Sequence, residues 1–269
     1  ETVRRWRPVG VMHFASLISV GESMEKPALY YRNNVAATLT MLDVLQETGV
    51  GRVVFSGSAA VYGIPQSVPI SEEHPVRPVS PYGATKAVVE RVLGDYDTAY
   101  GLRYVSLRYF NAAGADPQSR IGEAHTPETH LVPIALEAAI GKRAAVQVFG
   151  TDYDTADGTC VRDYVHVCDL ASAHVKALEY LCRDGRSLAI NLGAGRGYSV
   201  REVLGIAEKL TGRKIPCTDA PRRSGDPPSL VASNELACEI LGWRPVGSSL
   251  ENIVKTAWAW HTRRFAGRD

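Results

Sequence analysis

Three short runs rich in β-branched and aromatic residues, Val9 to Ala15, Arg52 to Ser56 and Tyr104 to Phe110, are separated by two stretches with helical periodicity, and this alternation restricts the fold most. The first stretch, Asn34 to Gln46, carries Val35, Leu39, Leu42 and Leu45 at helical spacing and is ended by Gly49 and Gly51. The second opens at Ser80-Pro81, a capping hydroxyl followed by a proline suited to a first helical turn, and closes at Gly101. Strand, helix, strand, helix, strand at this spacing describes βαβ units and a parallel sheet. Further on, 133–141 reads as helix, and 146–149, 164–167 and 188–192 as strands. Asp169 is placed as the cap of a helix running to Cys182. Ser199-Val-Arg-Glu202 and Ser248-Ser-Leu-Glu251 both read as capping boxes. Ala220 to Ser229, with three prolines, is expected to be irregular.

Composition removes several classes of partner. Thirty Lys and Arg balance 29 Asp and Glu, so no basic field is available to attract nucleic acid or an anionic membrane surface. No apolar run approaches the ~18 residues that span a bilayer. The five cysteines are scattered, without C-x-x-C, which fits neither a disulfide framework nor a zinc site. With no signal-peptide pattern, they predict a reducing, cytoplasmic setting. His125, His130, His166 and His174 are not spaced as metal ligands, and no metal is expected. The run Gly193-Ala-Gly195-Arg-Gly197-Tyr198 imitates a dinucleotide-binding turn but ends in Tyr198 where glycine is required.

The chemistry points to Tyr82-Gly-Ala-Thr-Lys86. A spacing of four puts phenol and ammonium on one helical face, and an adjacent ammonium lowers a phenol's pKa. That makes Tyr82 a usable acid and base for an alcohol or sugar hydroxyl. Ser58 follows the strand that ends near Ser56, at the end of an open α/β sheet where ligands bind, and its hydroxyl can relay a proton to Tyr82.

A longer set of motifs surrounds these residues: His13-Phe-Ala, Val20-Gly-Glu-Ser23, Tyr30-Tyr-Arg-Asn33-Asn34, Ser56 to Gly63, Ser80-Pro-Tyr-Gly83 with Lys86, and Leu107-Arg-Tyr-Phe-Asn111. Phe149-Gly-Thr-Asp-Tyr153 through Asp157-Gly-Thr to Val161-Arg-Asp-Tyr-Val-His-Val167 completes it. In order and over the whole chain, this set resembles the UDP-glucose 4-epimerases, extended short-chain dehydrogenase/reductases with tightly held NAD. The resemblance implies an α/β fold: a Rossmann-like doubly wound parallel sheet with its N-terminal part missing, and a smaller α+β substrate domain. The NAD-binding part would occupy 1–111, with 164–185 returning to it, and 112–269 would mainly bind the UDP-sugar.

It also implies roles. Tyr82 with Ser58 would take the proton from the sugar 4-hydroxyl, while Lys86 holds the nicotinamide ribose. Phe14, Ala15, Ser16, Leu17, Ile18, Asn33 and Phe110 match other NAD contacts, and Arg162 and Arg223 match the two arginines on the diphosphate. Asn111, Leu131, Phe149, Tyr164 and Asp226 match remaining nucleotide contacts, and a homodimer would pair through 34–46 and 81–100. Some positions depart from the pattern. Ile18 replaces a lysine found in some members, His130 stands where others place an asparagine on the diphosphate, and Leu230 occupies a position that is Tyr or smaller elsewhere. The glycine-rich turn that cradles the NAD pyrophosphate is not among these residues, and about 60 residues would lie upstream of Glu1. Two alternatives stand beside epimerisation. One is a related NAD-dependent dehydratase or decarboxylase, although Ala59-Ala60 lacks the acidic side chains dehydratases carry there. The other is a truncated, inactive UDP-sugar-binding protein.

Overall fold

The computed structural model describes residues 1–223 and 225–266; Ser224, inside the proline-rich loop, lies outside them. The first half runs α1 (Thr2–Trp6), β1 (Val11–His13), α2 (Val20–Glu25), α3 (Pro27–Tyr30), a wide π turn (Tyr31–Ala36), α4 (Ala37–Thr48), β2 (Arg52–Ser58), a 3₁₀ turn (Ala59–Val61), α5 (Pro81–Tyr100), β3 (Arg103–Tyr109) and β4 (Asn111–Ala113). The second half runs α6 (Leu131–Ala139), β5 (Val146–Phe149), β6 (Val161–His166), α7 (Val167–Cys182), β7 (Leu188–Leu192), β8 (Gly197–Ser199), α8 (Val200–Thr211), β9 (Cys217–Ala220), β10 (Ser229–Leu230), α9 (Glu235–Leu241) and α10 (Leu250–Phe265).

The main sheet has the order β1-β2-β3-β7, with every pair parallel. Alternation along β2 builds two cores. Val53 and Phe55 pack with Leu42 and Leu45 of α4 and Val89 and Leu93 of α5. Val54 points the other way, into a core made by Val105, Leu107, Ile190 and the α7 residues Leu170, Ala173 and Ala177. The sheet is therefore covered on both faces, as the sequence predicts. It also takes in Leu188–Leu192, beyond the 164–185 segment expected to return to it. The second layer system is built on β10-β6-β4, with β8 antiparallel to β6, and a third core lies among α6, α8 and α10.

Several local expectations change. The helix read over 34–46 begins as the π turn, and only Ala37–Thr48 is α-helical. The turn lets Asn34 point inward, where it accepts from Leu17 N (2.8 Å) and donates to Leu17 O (3.0 Å) and Thr85 Oγ1 (3.1 Å). Asp169 does not cap α7. The His166 ring accepts from Cys168 N (3.1 Å), and Asp169 instead accepts from Gly247 N (2.9 Å) and Ser248 Oγ (2.6 Å). With Ser248 so occupied, Ser249 caps α10 through Asn252 N (3.3 Å) and there is no second box. The first box is present, with both reciprocal bonds between Ser199 and Glu202.

One buried ion pair fastens these layers. Glu90 on α5 receives Arg108 Nε (2.9 Å), Arg108 Nη2 (2.6 Å) and Ser106 Oγ (2.7 Å). The same guanidinium donates to Tyr62 Oη (2.9 Å), which donates to Asn191 Oδ1 (2.7 Å) on β7. Both charged side chains are about nine-tenths buried, so removing one strands the other. Arg108→Ala is expected to lower stability in urea unfolding by about 3–5 kcal/mol. A loss under ~1 kcal/mol, the range of a surface pair, would show that the network does not hold the layers.

Candidate active site

β2 delivers Ser58 to the C-terminal edge of the sheet, opposite Tyr109 on β3. There its Oγ accepts from Ala60 N (3.2 Å) and caps the 3₁₀ turn. α5 starts against that turn. Ser80 Oγ accepts from Gly83 N (3.2 Å), and Pro81 occupies the first helical position. Gly83 is required here because a Cβ would lie 2.4 Å from Ala60 O and 3.1 Å from Pro78 Cβ. This contact of helix backbone on turn backbone brings Tyr82 next to Ser58.

Four residues along, Lys86 is 1% exposed; its Nζ donates to Ser56 O (2.7 Å) and lies 4.8 Å from the Phe55 ring centroid and 5.9 Å from that of Tyr82. Burial lowers its pKa to about 8, against the opposing pull of Glu90 one turn on. The Tyr82 phenol differs from the expectation. Burial pushes it up, and the Ser58 hydroxyl draws it partly back, whereas Lys86 spends its bond on Ser56 O. Tyr109, which the motif reading did not single out, hydrogen-bonds Ser56 Oγ, and burial pushes its phenol up to about 12.

The segment after β1 has the character of a docking strip. Phe14 and Ile18 are exposed, and Phe14 stacks on His174 at 4.7 Å. The Ser16 hydroxyl is shielded from water and has no hydrogen-bond partner among the described residues. Leu17 is held through its backbone by Asn34, to which Asn33 also donates (2.9 Å). Phe110, just past β3, packs with Leu230 against Ala59, Val61 and Tyr62, so this small cluster ties the first half's edge to the second half.

On the second half, strand register does the assembling. Leu230 on β10 pairs with Arg162 on β6, and Tyr164 on β6 pairs with Asn111 on β4. Arg162 Nη1 donates to Val161 O (2.8 Å) and Pro227 O (3.0 Å), and Nη2 lies 3.3 Å from Asp226 Oδ1. The Arg223 guanidinium stacks on Phe149 at 4.0 Å. Cys160 feels Arg162, Asp226 and Arg223 together, which puts these groups in one neighbourhood; burial nonetheless holds its thiol up. Tyr164 is buried, which raises its phenol far above the ordinary range. Leu131 starts α6.

His130 lies among carboxylates. Its Nδ1 lies 2.5 Å from Glu123 Oε1 and 3.4 Å from Glu128 Oε1, and the two carboxylates push the imidazole up to about 10. His125 joins the same group, so two histidines whose spacing argued against a shared site are brought together because the 123–130 loop doubles back.

The model of the NAD dependent epimerase/dehydratase family matches residues 1–193. The UDP-glucose 4-epimerase of Rhizobium leguminosarum bv. trifolii is 51% identical over 98% of this chain and 80% of its own length. The crystal structure of the Brucella ovis UDP-glucose 4-epimerase in complex with NAD superposes with a TM-score of 0.94 at 52% identity, covering 96% of this chain and 79% of that one. The chain belongs to the UDP-glucose 4-epimerase family. The Bifidobacterium longum UDP-glucose 4-epimerase, in complex with NAD+ and UDP, matches 99% of this chain and 80% of that chain at 39% identity, with a TM-score of 0.93. A UDP-glucose 4-epimerase frame suits a site split between a sheet edge and a cationic, aromatic second half.

Gly83→Ala is expected to push α5 away from Ala60, lowering stability by about 1–3 kcal/mol in urea unfolding. It should also return the Tyr82 ultraviolet titration towards an ordinary phenol. Unchanged titration and stability would show that the backbone contact does not set the Tyr82 position.

Proposed function

We propose that the chain catalyses NAD-dependent 4-epimerisation of UDP-hexoses, interconverting UDP-galactose and UDP-glucose. The observation that carries this reading is Tyr82, Ser58 and Lys86 gathered at the sheet edge, joined through Phe110 and Leu230 to the strand that carries Arg162.

The residues present fit the nicotinamide half of NAD. Among the described residues Lys86 has one hydrogen-bond acceptor for its three N–H bonds, the buried Ser16 hydroxyl has no partner, and Asn34 holds the backbone of the Phe14–Ile18 strip at Leu17. Ala15 to Ile18, Asn33, Lys86 and Phe110 would hold the cofactor. When bound, NAD supplies the acceptor and donor of the hydride at C4 of the hexose. Tyr82 takes the proton from the 4-hydroxyl and later returns one, with Ser58 as the relay, and Lys86 favours the phenolate once its ammonium is shared with the ribose. Arg162 and Arg223 neutralise the diphosphate; Phe149, Asn111, Leu131, Tyr164 and Asp226 position the uridine, with His130 and Leu230 at the sugar-diphosphate end.

Two further features belong to this proposal. A homodimer would use 34–46 and α5, which leaves Val88 and Tyr100 exposed. A cytoplasmic setting suits five free cysteines, and no helix among the described residues is long and apolar enough to cross a membrane.

Supplied with NAD and UDP-galactose, the chain is expected to form UDP-glucose. Tyr82→Phe should cut this by at least about 100-fold while leaving UDP binding within a factor of about two. UDP binding without turnover in the parent chain would favour a non-catalytic UDP-sugar-binding protein. A Tyr82→Phe variant at parental rate would remove Tyr82 from its role.

A further inference from the structure

Between Ile121 and α6 the chain folds back so that Glu123, His125, Glu128 and His130 converge, each offering a ligand atom within 4.8 Å of the others. Glu123 Oε1 lies 3.1 Å from His125 Nδ1 and 2.5 Å from His130 Nδ1. Glu128 Oε1 lies 3.9 Å from His125 Nδ1 and 3.4 Å from His130 Nδ1. A tetrahedral ion with ligand bonds of about 2.0–2.2 Å places its ligands about 3.3–3.6 Å apart, inside the span of these four separations.

A second observation concerns the innermost ligand. The Glu128 side chain is 2% exposed, and its Oε1, turned towards both imidazoles, is oriented by Thr129 N (2.7 Å) and His130 N (2.9 Å). Its other oxygen, Oε2, is buried and has no hydrogen-bond partner among the described residues. Leaving a buried carboxylate oxygen unpaired costs about 1–3 kcal/mol, and one such oxygen on a residue within a ring of metal-ligating groups marks a position that something else completes. The backbone around them is fixed: Trp260 Nε1 on α10 donates to Glu123 O (2.8 Å).

We propose that Glu123, His125, Glu128 and His130 form a divalent-cation site, selective for Zn2+, that clamps the 123–130 loop between α10 and the start of α6. Two imidazole nitrogens with two carboxylate oxygens suit four-coordinate zinc, whereas magnesium and calcium require more ligands, all oxygen. The rival arrangement is a pair of ion pairs between protonated imidazoles and the carboxylates, with no ion between them. His130 is shared with the proposed substrate site, whereas Glu123, His125 and Glu128 are not, so binding of the ion is read in the absence of substrate and separately from turnover. The location of the site immediately before α6 makes it a clamp on the chain that leads into Leu131.

The test is titration of the chelator-treated 269-residue chain with ZnCl2 by calorimetry, with MgCl2 as control and melting temperature as a second reading. One Zn2+ per chain is expected, in the micromolar range or tighter, with a rise in melting temperature that MgCl2 does not give. Co2+ in its place should show the intense visible bands of tetrahedral coordination. Glu128→Gln and His125→Ala should each weaken Zn2+ binding by at least about tenfold. His125 is 45% exposed at its side chain, so its variant decides the matter if Glu128→Gln does not fold. No binding, or binding that both variants leave unchanged, would overturn the site.

Discussion

The Lys86 ammonium sits inside the protein, and its one hydrogen-bond partner among the described residues is Ser56 O at 2.7 Å. Placing a charge there disfavours the fold, and burial accordingly lowers its pKa. The surrounding architecture exists in large part to sustain it. The carbonyl that receives it belongs to the strand that carries Ser58, and Tyr109 steadies the side chain of Ser56 from the neighbouring strand. Glu90, one helical turn further along α5, contributes a compensating negative charge while locked to Arg108. Because Arg108 also reaches Tyr62 and, through it, Asn191, the position of α5 is tied to two strands of the sheet, β3 and β7. The site and the core of the first half are therefore one polar network.

The second half contributes by register. Parallel pairing of β10, β6 and β4 sets Leu230 beside Arg162 and Tyr164 beside Asn111, so residues from three distant parts of the chain share one surface without any of them choosing its position individually. A buried carboxylate reinforces the arrangement: Asp163 accepts from Ala194 N (2.7 Å), Gly195 N (3.1 Å) and Ala232 N (3.1 Å), and burial pushes it up to about 6 against those bonds. This explains the glycine-rich run at 193–197, which imitates a nucleotide turn: Gly193 leaves room for the Asp163 carboxylate, which a Cβ would approach at 2.5 Å.

Most of the frame was legible in the sequence because it depends on local periodicity and on caps. Val146–Phe149 and Leu188–Leu192 stand where the apolar pattern puts them, and Gly101 closes α5 in the left-handed region, with φ of 70°. What escaped depends on partners far apart in the chain. Asp169 has the composition of a helix cap, yet Gly247 and Ser248 claim it, and that removes Ser248 from its own capping box. Asn33 carried the motif, but Asn34, turned inward by the π turn, holds the strip after β1. The doubled-back loop that unites His125 and His130 has no periodic signal at all.

The direct test of this account is the pH dependence of stability in Lys86→Met compared with the parent chain, by urea unfolding. The native Lys86 titrates near 8 and the unfolded side chain at its ordinary 10.5. At neutral pH both states hold the proton and the native state bears the burial cost; between about 8 and 10.5 the unfolded chain retains a proton that the native one has shed, so parental stability rises with pH. Lys86→Met is expected to be more stable than the parent at pH 7 by something of order 3 kcal/mol, the gap closing as pH approaches 10.5. A variant no more stable than the parent at pH 7, with a difference that does not change with pH, would contradict the claim that the fold sustains a buried charge for the site.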